Sequence, residues 1–336
     1  METQKYFLNI YGIFVQLYGY TNIINKISEE FKYFLSREES QSKINLTINI
    51  NFIKPPYEQI PQIEASMYKT DCICYDYNDT RYADYKNKCL VIFNKVKKIA
   101  DIYSLDENLL YEISYLLLHS QAGELLDLKG FHRIHACSFS YNKNIFICIL
   151  PQGGGKSTLL MNLLKNDNIK LLSDDTPIID RKGNIYPFPI RLGVCNDFDT
   201  SYIPDNFITV FDRRKFGQKK LISYDFFKDR IETVNFPINI IAGKRIYSDT
   251  PKIKNTNTFY IFEELFKSCI VGYGLPQIIE FFLTGGFKDF FKKCFIVFSR
   301  FYACIRLLFK TNKTYIFYLS KNIEKNTDCF LDYFNK

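Results

Sequence analysis

The chain has 336 residues, of which 47% are hydrophobic, 17% aromatic and 24% charged. This composition provides enough apolar side chains for a globular core and excludes a disordered chain, a collagen-like fibre and a small disulfide scaffold. The net charge of +8 favours phosphorylated or anionic partners but is too weak to indicate nucleic acid, so no nucleic-acid partner is expected.

Cysteine usage and the N-terminus predict the cellular compartment. The ten cysteines are scattered without a Cys-x-x-Cys pair, and most lie in apolar runs, which is typical of free thiols in a reducing environment. The N-terminus lacks the basic, apolar and small-residue regions of a secretory signal. The most apolar later stretch, Phe281–Phe309, is interrupted by charged residues and leaves no charge-free window of about 18 residues for a spanning helix, so a cytoplasmic protein is predicted.

Residues 1–100 predict a small β-rich (α+β) N-terminal domain, and residues 101–336 predict a larger α/β domain. The first part alternates short β-type runs with turn-rich joints, the runs being Tyr6–Leu17, Ile44–Ile53 and Cys89–Phe93. From Ser104 the apolar residues recur at helical spacing. We therefore expect a helix from Asp106 to about Ala122, with Ser104 as its N-cap.

A strand, glycine loop, helix and strand follow in the order of a phosphate-binding α/β unit. A hairpin turn at Tyr141–Asn144 leads into Ile145–Leu150, an apolar run typical of a strand buried on both faces. The segment PQGGGKSTLLMNLLK supplies the loop and the helix, and Ile169–Leu172 predicts the next strand. The closing residues 314–320 predict a further strand.

The glycine loop is the main candidate for binding the phosphates of ATP. Gly153, Gly154 and Gly155 can turn backbone N–H groups towards phosphate oxygens, and Lys156, Ser157 and Thr158 open the following helix. In such loops the lysine neutralises the β- and γ-phosphates and the serine hydroxyl binds Mg²⁺. Leu150 stands where the usual pattern has its first glycine. The alternative is an ordinary glycine-rich turn between a strand and a helix.

Two adjacent carboxylates, Asp174 and Asp175, follow the next predicted strand. In a parallel sheet they would lie beside the glycine loop, where one could hold Mg²⁺ and the other could accept a proton from an attacking hydroxyl. The alternative is a turn that begins before Thr176-Pro177. His135 lies on the strand before the hairpin and forms an H-x-x-H with His132, but no accompanying ligand set indicates zinc, and a hydrogen-bonded histidine is the simpler interpretation.

The stretch from Phe131 to Val194 resembles the HPr kinase/phosphorylase family of serine kinases. The likeness is carried by HAC, the glycine loop, SDDTPII and YPFPIRLGV, and it covers 64 of the 336 residues. It implies a P-loop kinase core and a possible hexamer. It further implies that Asp175 is the general base towards a seryl hydroxyl, that Asp174 and Ser157 serve Mg²⁺, and that His135 assists at the phosphate.

This sequence departs from the family at Thr158, where those kinases carry an acidic residue, and it has no recognisable motif for the carrier protein HPr. The resemblance also suggests phosphate contacts for Arg191 and Arg245, although a solvated structural role for each is the alternative. The basic segment Asp212–Lys220 is interpreted either as a lid over substrate or as a solvated turn.

The segment Phe281–Phe309 places Lys292, Lys293, Arg300 and Arg306 among aromatic and aliphatic residues at nearly helical spacing. Such a basic amphipathic helix could lie on an anionic membrane surface. The favoured interpretation is a helix of the core or of an oligomer interface, whose apolar stripe packs inward while the basic side chains reach solvent.

Three functions are compatible with these features. The first is an ATP- and Mg²⁺-dependent phosphotransferase acting on a hydroxyl of a peptide, protein or small molecule. The second is a nucleotide-binding regulatory module without phosphotransfer. The third is a peripheral membrane or assembly protein in which the loop has no catalytic role. The sequence does not identify the phosphoryl acceptor or the role of the N-terminal domain.

Overall fold

A computed structural model of the chain describes residues 2–36, 43–213, 217–282 and 287–335. They form a mixed α/β protein that divides into two compact units. The first comprises Met1–Leu126, Asp212–Gly217 and Pro276–Asp289, and the second comprises Asp127–Phe211, Gln218–Leu275 and Phe290–Lys336. The first unit therefore includes more of the chain than residues 1–100, since it takes in most of a long helix and a segment close to residue 280.

Helices occur in both units, and none of those in the described ranges is long and apolar enough to cross a membrane. A π-helical turn (Phe266–Val271) follows the fourth α-helix directly. The α-helices of the described residues are α1 (Thr21–Glu30), α2 (Glu107–Lys129), α3 (Lys156–Leu163), α4 (Thr258–Leu265), α5 (Ile279–Phe282), α6 (Phe287–Lys310) and α7 (Ile323–Phe334).

The first unit contains one mixed sheet. Its described strands are β1 (Thr3–Ile10), β2 (Ile13–Tyr20), β3 (Leu35–Ser36), β4 (Leu46–Asn51), β5 (Met67–Tyr68), β6 (Ile73–Tyr77), β7 (Thr80–Tyr85), β8 (Cys89–Asn94) and β9 (Ile99–Ser104). They are ordered β3-β1-β2-β4-β9-β8-β7-β6-β5. The run predicted as a single stretch, Tyr6–Leu17, is a hairpin, because Tyr11 and Gly12 both adopt positive φ angles and reverse the chain.

Helix α2 confirms the predicted helix but extends it by about two turns. Its N-cap side chain is Asp106, whose carboxylate accepts a hydrogen bond from the backbone N–H of Leu109, while Ser104 accepts one from the N–H of Asp106. At the other end the helix passes through Gly123 and stops at Gly130, which has a φ of 88°. The spacing of the apolar residues had predicted an end at about Ala122.

The second unit is built on a six-stranded sheet with the order β13-β11-β12-β19-β21-β20. Smaller sheets have the orders β10-β14-β15 and β16-β18-β17. The described strands are β10 (Phe131–Arg133), β11 (Cys137–Tyr141), β12 (Asn144–Ile149), β13 (Lys170–Ser173), β14 (Ile178–Asp180), β15 (Ile185–Tyr186), β16 (Leu192–Cys195), β17 (Ile208–Arg213), β18 (Gly217–Ile222), β19 (Ile238–Arg245), β20 (Lys252–Asn255) and β21 (Thr311–Leu319).

Helices cover both faces of the six-stranded sheet. Phe146 and Cys148 of β12 belong to a core cluster with residues of α3 and α7, whereas Ile145, Ile147 and Ile149 belong to a second cluster with residues of α4 and α6. Side chains alternate across a strand, so a strand covered on both faces is apolar throughout, as predicted for this run. The hairpin between β11 and β12 and the C-terminal strand β21 are confirmed as well.

Strand direction places the ends of β12 and β13 at one edge of the sheet. Strand β11 is antiparallel to both, so β12 and β13 run the same way, and β19 and β21 are parallel to β12. The strand that carries the aspartates is therefore parallel to the strand before the glycine loop but is not its neighbour, because β11 lies between them. The two segments meet at the carboxyl ends of their strands.

Candidate functional site

The glycine loop links β12 to the first turn of α3. Gly153 and Gly155 have φ angles of 74° and 91°, which side chains with a Cβ rarely adopt, and the N–H of Gly154 donates to the carbonyl of Pro151 at 2.9 Å. Gly155 is the N-cap residue of α3, and no side chain caps this end of the helix with a hydrogen bond. The helix therefore begins with backbone N–H groups whose partial positive charge suits an anion.

Leu150 lies at the position where the usual loop pattern begins with glycine. Its side chain is 2% exposed and packs against Gly243 on the neighbouring strand β19. A Cβ atom built on Gly243 would come within 2.5 Å of Leu150 Cγ, so the space for the leucine depends on that glycine. The Leu150 side chain thus belongs to the core.

Lys156 is the first residue of α3, and its ammonium group is directed towards the carboxyl end of the aspartate strand. Its Nζ lies 2.7 Å from His135 Nε2, 3.5 Å from the carbonyl oxygen of Leu150 and 3.6 Å from Asp175 Oδ1. The side chain is only 6% exposed. Lys156 thus brings a nearly buried cation to the histidine and the carboxylate that the sequence singles out.

Asp175 completes this group. Its Oδ1 lies 3.3 Å from His135 Nε2, and its side chain is 44% exposed. Desolvation opposes ionisation, but the hydrogen bond from His135 and the charge of Lys156 outweigh it and lower the pKa of Asp175. Asp175 is therefore an ionised carboxylate at neutral pH with access to solvent, as a proton acceptor requires.

Asp174 has a different environment from its neighbour. Its Oδ2 accepts a hydrogen bond of 2.9 Å from Ser157 Oγ, and the N–H of Gly193 lies 3.5 Å from the same oxygen. Its Oδ1 is buried and has no hydrogen-bond partner among the described residues. Burial, followed by the charge of Asp175, raises the pKa of Asp174 to about 6.

The side chains of Asp174 and Ser157 suit a hard cation such as Mg²⁺. The unpartnered buried oxygen of Asp174 and the adjacent Ser157 hydroxyl are oxygen donors of the kind that Mg²⁺ prefers. The part of the chain that the structure describes contains no group of three or more His, Cys, Asp and Glu side chains placed to hold a metal. Mg²⁺ in phosphotransfer sites is commonly held by one or two carboxylates together with substrate phosphates, so this donor set fits it.

Three further residues that the sequence analysis discussed are Thr158, His132 and Arg191. Thr158 is in the first turn of α3, where its carbonyl accepts a hydrogen bond from Asn162. His132 is bonded to Asp127 and Ser299, so it does not converge with His135 on a shared ligand. The guanidinium of Arg191 lies over the ring of Phe211, with 5.9 Å to its centroid.

Arg245 braces the glycine loop from the end of β19. Its Nε donates to the carbonyl of Gly154 at 3.1 Å, and its Nη1 donates to the carbonyl of Ser320 at 2.7 Å. A Cβ atom built on Gly155 would lie 2.5 Å from its Nη2. Arg245 is exposed, as the alternative interpretation held, yet two of its nitrogens are committed to backbone around the loop.

Lys219 is a member of the site that sequence reasoning did not single out. It lies on β18, and the end of its side chain packs against Gly193. Its positive charge lowers the pKa of both Asp174 and Asp175. The only sequence signal was the basic run Asp212–Lys220, of which residues 214–216 lie outside the described part of the chain.

A scan against protein-family models and a search of curated proteins both find no match for this chain. The interpretation of the site therefore depends on its own geometry and on the motif resemblance.

Proposed function

We propose that the chain is an ATP- and Mg²⁺-dependent phosphotransferase, with a P-loop kinase core of the HPr kinase type in its second unit, that phosphorylates a hydroxyl group. The acceptor class we favour is a seryl side chain of a peptide or protein. One observation carries the proposal: Lys156 and Ser157 from the glycine loop lie within hydrogen-bonding or ion-pairing distance of Asp174, Asp175 and His135.

The residues suggest a division of roles. The backbone N–H groups of the loop and Lys156 would bind the phosphates, and Ser157 and Asp174 would hold Mg²⁺, which when bound neutralises phosphate charge. Lys219 adds a further positive charge beside the carboxylates. Catalysis would consist mainly of positioning and charge stabilisation, as in other phosphoryl transfers.

Asp175 is the proposed general base. The acceptor oxygen forms a bond to the γ-phosphorus, the bond from that phosphorus to the β–γ bridging oxygen breaks, and the hydroxyl proton passes to Asp175. The lowered pKa of Asp175 keeps it ionised before the transfer. His135 contacts both Lys156 and Asp175, so it orients the two groups whose distance the reaction depends on.

The test measures Mg²⁺-dependent ATP binding and ATP consumption by the purified chain, with serine-containing peptides and cell extract as acceptors. Lys156→Ala should weaken nucleotide binding at least tenfold because it removes the cation that is proposed to bind the phosphates. Asp175→Asn should retain binding and lower turnover about 10²–10⁴-fold. Lys170→Ala and Asp167→Asn, at exposed positions, serve as matched controls and should behave like the wild type.

Two results would redirect the interpretation. Nucleotide binding by the wild type without turnover for any acceptor would favour the regulatory nucleotide-binding module. Nucleotide binding that is unaffected by Lys156→Ala, or turnover that survives Asp175→Asn, would refute the assigned roles.

A further inference from the structure

Helix α6 exposes an aromatic face along its length in the second unit. Six aromatic side chains of this face are between 43% and 81% exposed, namely Phe290, Phe295, Phe298, Phe301, Tyr302 and Phe309. At about 200 Å² for each aromatic side chain, they present on the order of 700 Å² of surface to solvent. The largest apolar patch of a typical monomer is roughly 300–600 Å², so this face calls for a partner.

The opposite face of the same helix packs into the core. Ala303, Cys304 and Leu307 are buried in the core cluster on one face of the sheet, and Ile296 is buried as well. The expected inward packing of the apolar stripe therefore holds for these small and aliphatic residues, whereas the phenylalanines point outward. A helix that is apolar on two sides is normally covered on both.

A cationic rim borders the aromatic face. The loop that carries Arg181 and Lys182 lies against the C-terminal half of α6: Gly183 packs on the backbone of Arg306, and Lys310 donates to Asn184 at 2.5 Å. The Arg181 guanidinium lies 5.5 Å from the centroid of the Phe295 ring. Arg181, Lys182, Arg306 and Lys310 are all exposed.

The charge of the rim selects among the partners that could cover this face. Helix α6 carries six basic residues and one acidic residue, Asp289, and five of the basic residues remain when Arg300, which is buried in an ion pair with Asp127, is left out. A second copy would bring the same positive charges to the interface, and like charges oppose such pairing. Aromatic side chains bordered by Lys and Arg match instead the boundary of an anionic lipid layer, where rings enter the acyl region and cations meet headgroups.

We infer that the aromatic face of α6 and its cationic rim form a docking surface for an anionic lipid membrane. The contact is peripheral: the rings of Phe298, Tyr302 and Phe309 insert at the headgroup boundary, while Arg181, Lys182 and Arg306 pair with lipid phosphates and carboxylates. This docking is separate from the nucleotide site and requires no nucleotide.

The experiment is sedimentation of the full chain with vesicles of phosphatidylcholine alone or of phosphatidylcholine containing about 30% phosphatidylserine. We expect binding to the anionic vesicles that weakens as salt is raised. Arg181→Gln with Lys182→Gln should weaken it about fivefold for each charge removed, and Phe298→Ser with Tyr302→Ser at least tenfold. Lys156→Ala should bind like the wild type, which separates this result from failure of the kinase proposal.

Matched controls are Tyr68→Ser with Tyr247→Ser for exposed aromatics and Lys228→Gln with Lys252→Gln for exposed charges elsewhere on the chain. Thermal unfolding checks that each variant is folded. If the variant Phe298→Ser with Tyr302→Ser does not fold, Phe290→Ser with Phe309→Ser is used in its place.

The inference would be overturned if the wild type did not bind vesicles, or if none of the aromatic substitutions changed vesicle binding. A wild-type dimer in light scattering that dissociates in the aromatic variants, without vesicle binding, would assign the face to a second copy.

Discussion

At the scale of single residues, the adjacent carboxylates Asp174 and Asp175 differ in pKa because their surroundings differ. Burial raises the pKa of Asp174 to about 6, whereas His135 and Lys156 overcome desolvation and lower the pKa of Asp175. Pairs of carboxyl groups whose pKa values are driven apart are typical of functional sites. The sequence shows only two neighbouring aspartates, and the difference between them comes from the residues that the fold brings near.

The raised pKa of Asp174 predicts a pH-dependent stability effect. The folded chain binds a proton at Asp174 between about pH 4 and 6 that the unfolded chain has released, so this group destabilises the fold as pH rises through that range. Asp174→Asn should therefore increase the free energy of unfolding at pH 8, by up to about 3 kcal/mol, and change it little near pH 4. Denaturant unfolding with a metal chelator present measures this.

Asp180 is the control with the opposite sign, because hydrogen bonds from Asn184 and Tyr186 outweigh desolvation and lower its pKa. Its contribution to stability is present above the unfolded pKa and is lost as pH falls through the folded one. Asp180→Asn should therefore destabilise the protein at pH 8. A destabilising effect of Asp174→Asn at pH 8 would contradict the assigned environment.

At the scale of secondary-structure elements, the contact between β12 and β19 explains how the loop begins without its usual first glycine. Leu150 replaces the usual first glycine of the loop, and Gly243 on the neighbouring strand β19 leaves room for the Leu150 side chain. The sequence placed Leu150 at the end of an apolar strand and also at the position of the first glycine of the loop pattern. The structure assigns its side chain to the sheet core.

This pairing predicts non-additive effects of substitution. Gly243→Ala should destabilise the fold by about 1–3 kcal/mol because its methyl group collides with Leu150. Leu150→Ala should cost about 2–5 kcal/mol through the cavity it leaves. The double variant should be more stable than the sum of the two losses, because the added methyl group enters the space that the leucine vacates. Additive losses in a double-mutant cycle would rule out the contact.

At the scale of the whole molecule, a buried ion pair connects the end of α2 with α6 in the second unit. Both Arg300 and Asp127 are almost fully buried, and the guanidinium donates to the two carboxylate oxygens at 3.0 and 2.5 Å. Despite burial, the charge of Arg300 and the hydrogen bond from His132 lower the pKa of Asp127 to about 2. Arg300 was expected among the basic residues that reach solvent, and the structure corrects that expectation.

Removal of one member of this pair should be costly. Arg300→Met should lower the free energy of unfolding by about 3–5 kcal/mol, because it leaves the Asp127 carboxylate buried without its main partner. Chemical denaturation at pH 7 measures the loss. Arg300→Met combined with Asp127→Asn should recover part of it, since the buried carboxylate that lost its partner is then replaced by a neutral amide. Equal instability of the single and double variants would indicate that packing, not charge, dominates at this position.

The sequence by itself determined the elements whose signals are local. Helical spacing predicted α2, although its N-cap is Asp106 and not the predicted Ser104. Apolar runs predicted the strands around the hairpin, and glycine, lysine and serine at fixed spacing predicted the loop before α3. Each of these signals depends on neighbours within a few residues, so it can be read without knowing the fold.

Only the tertiary structure decided which residues lie next to the glycine loop and which side of α6 is exposed to solvent. The order of strands placed β11 between β12 and β13, brought Lys219 to the aspartates and turned the aromatic side of α6 to solvent. Strand order, burial and pKa are set by residues far apart in the chain, and a helix that is apolar on two sides does not itself specify which side the core will cover.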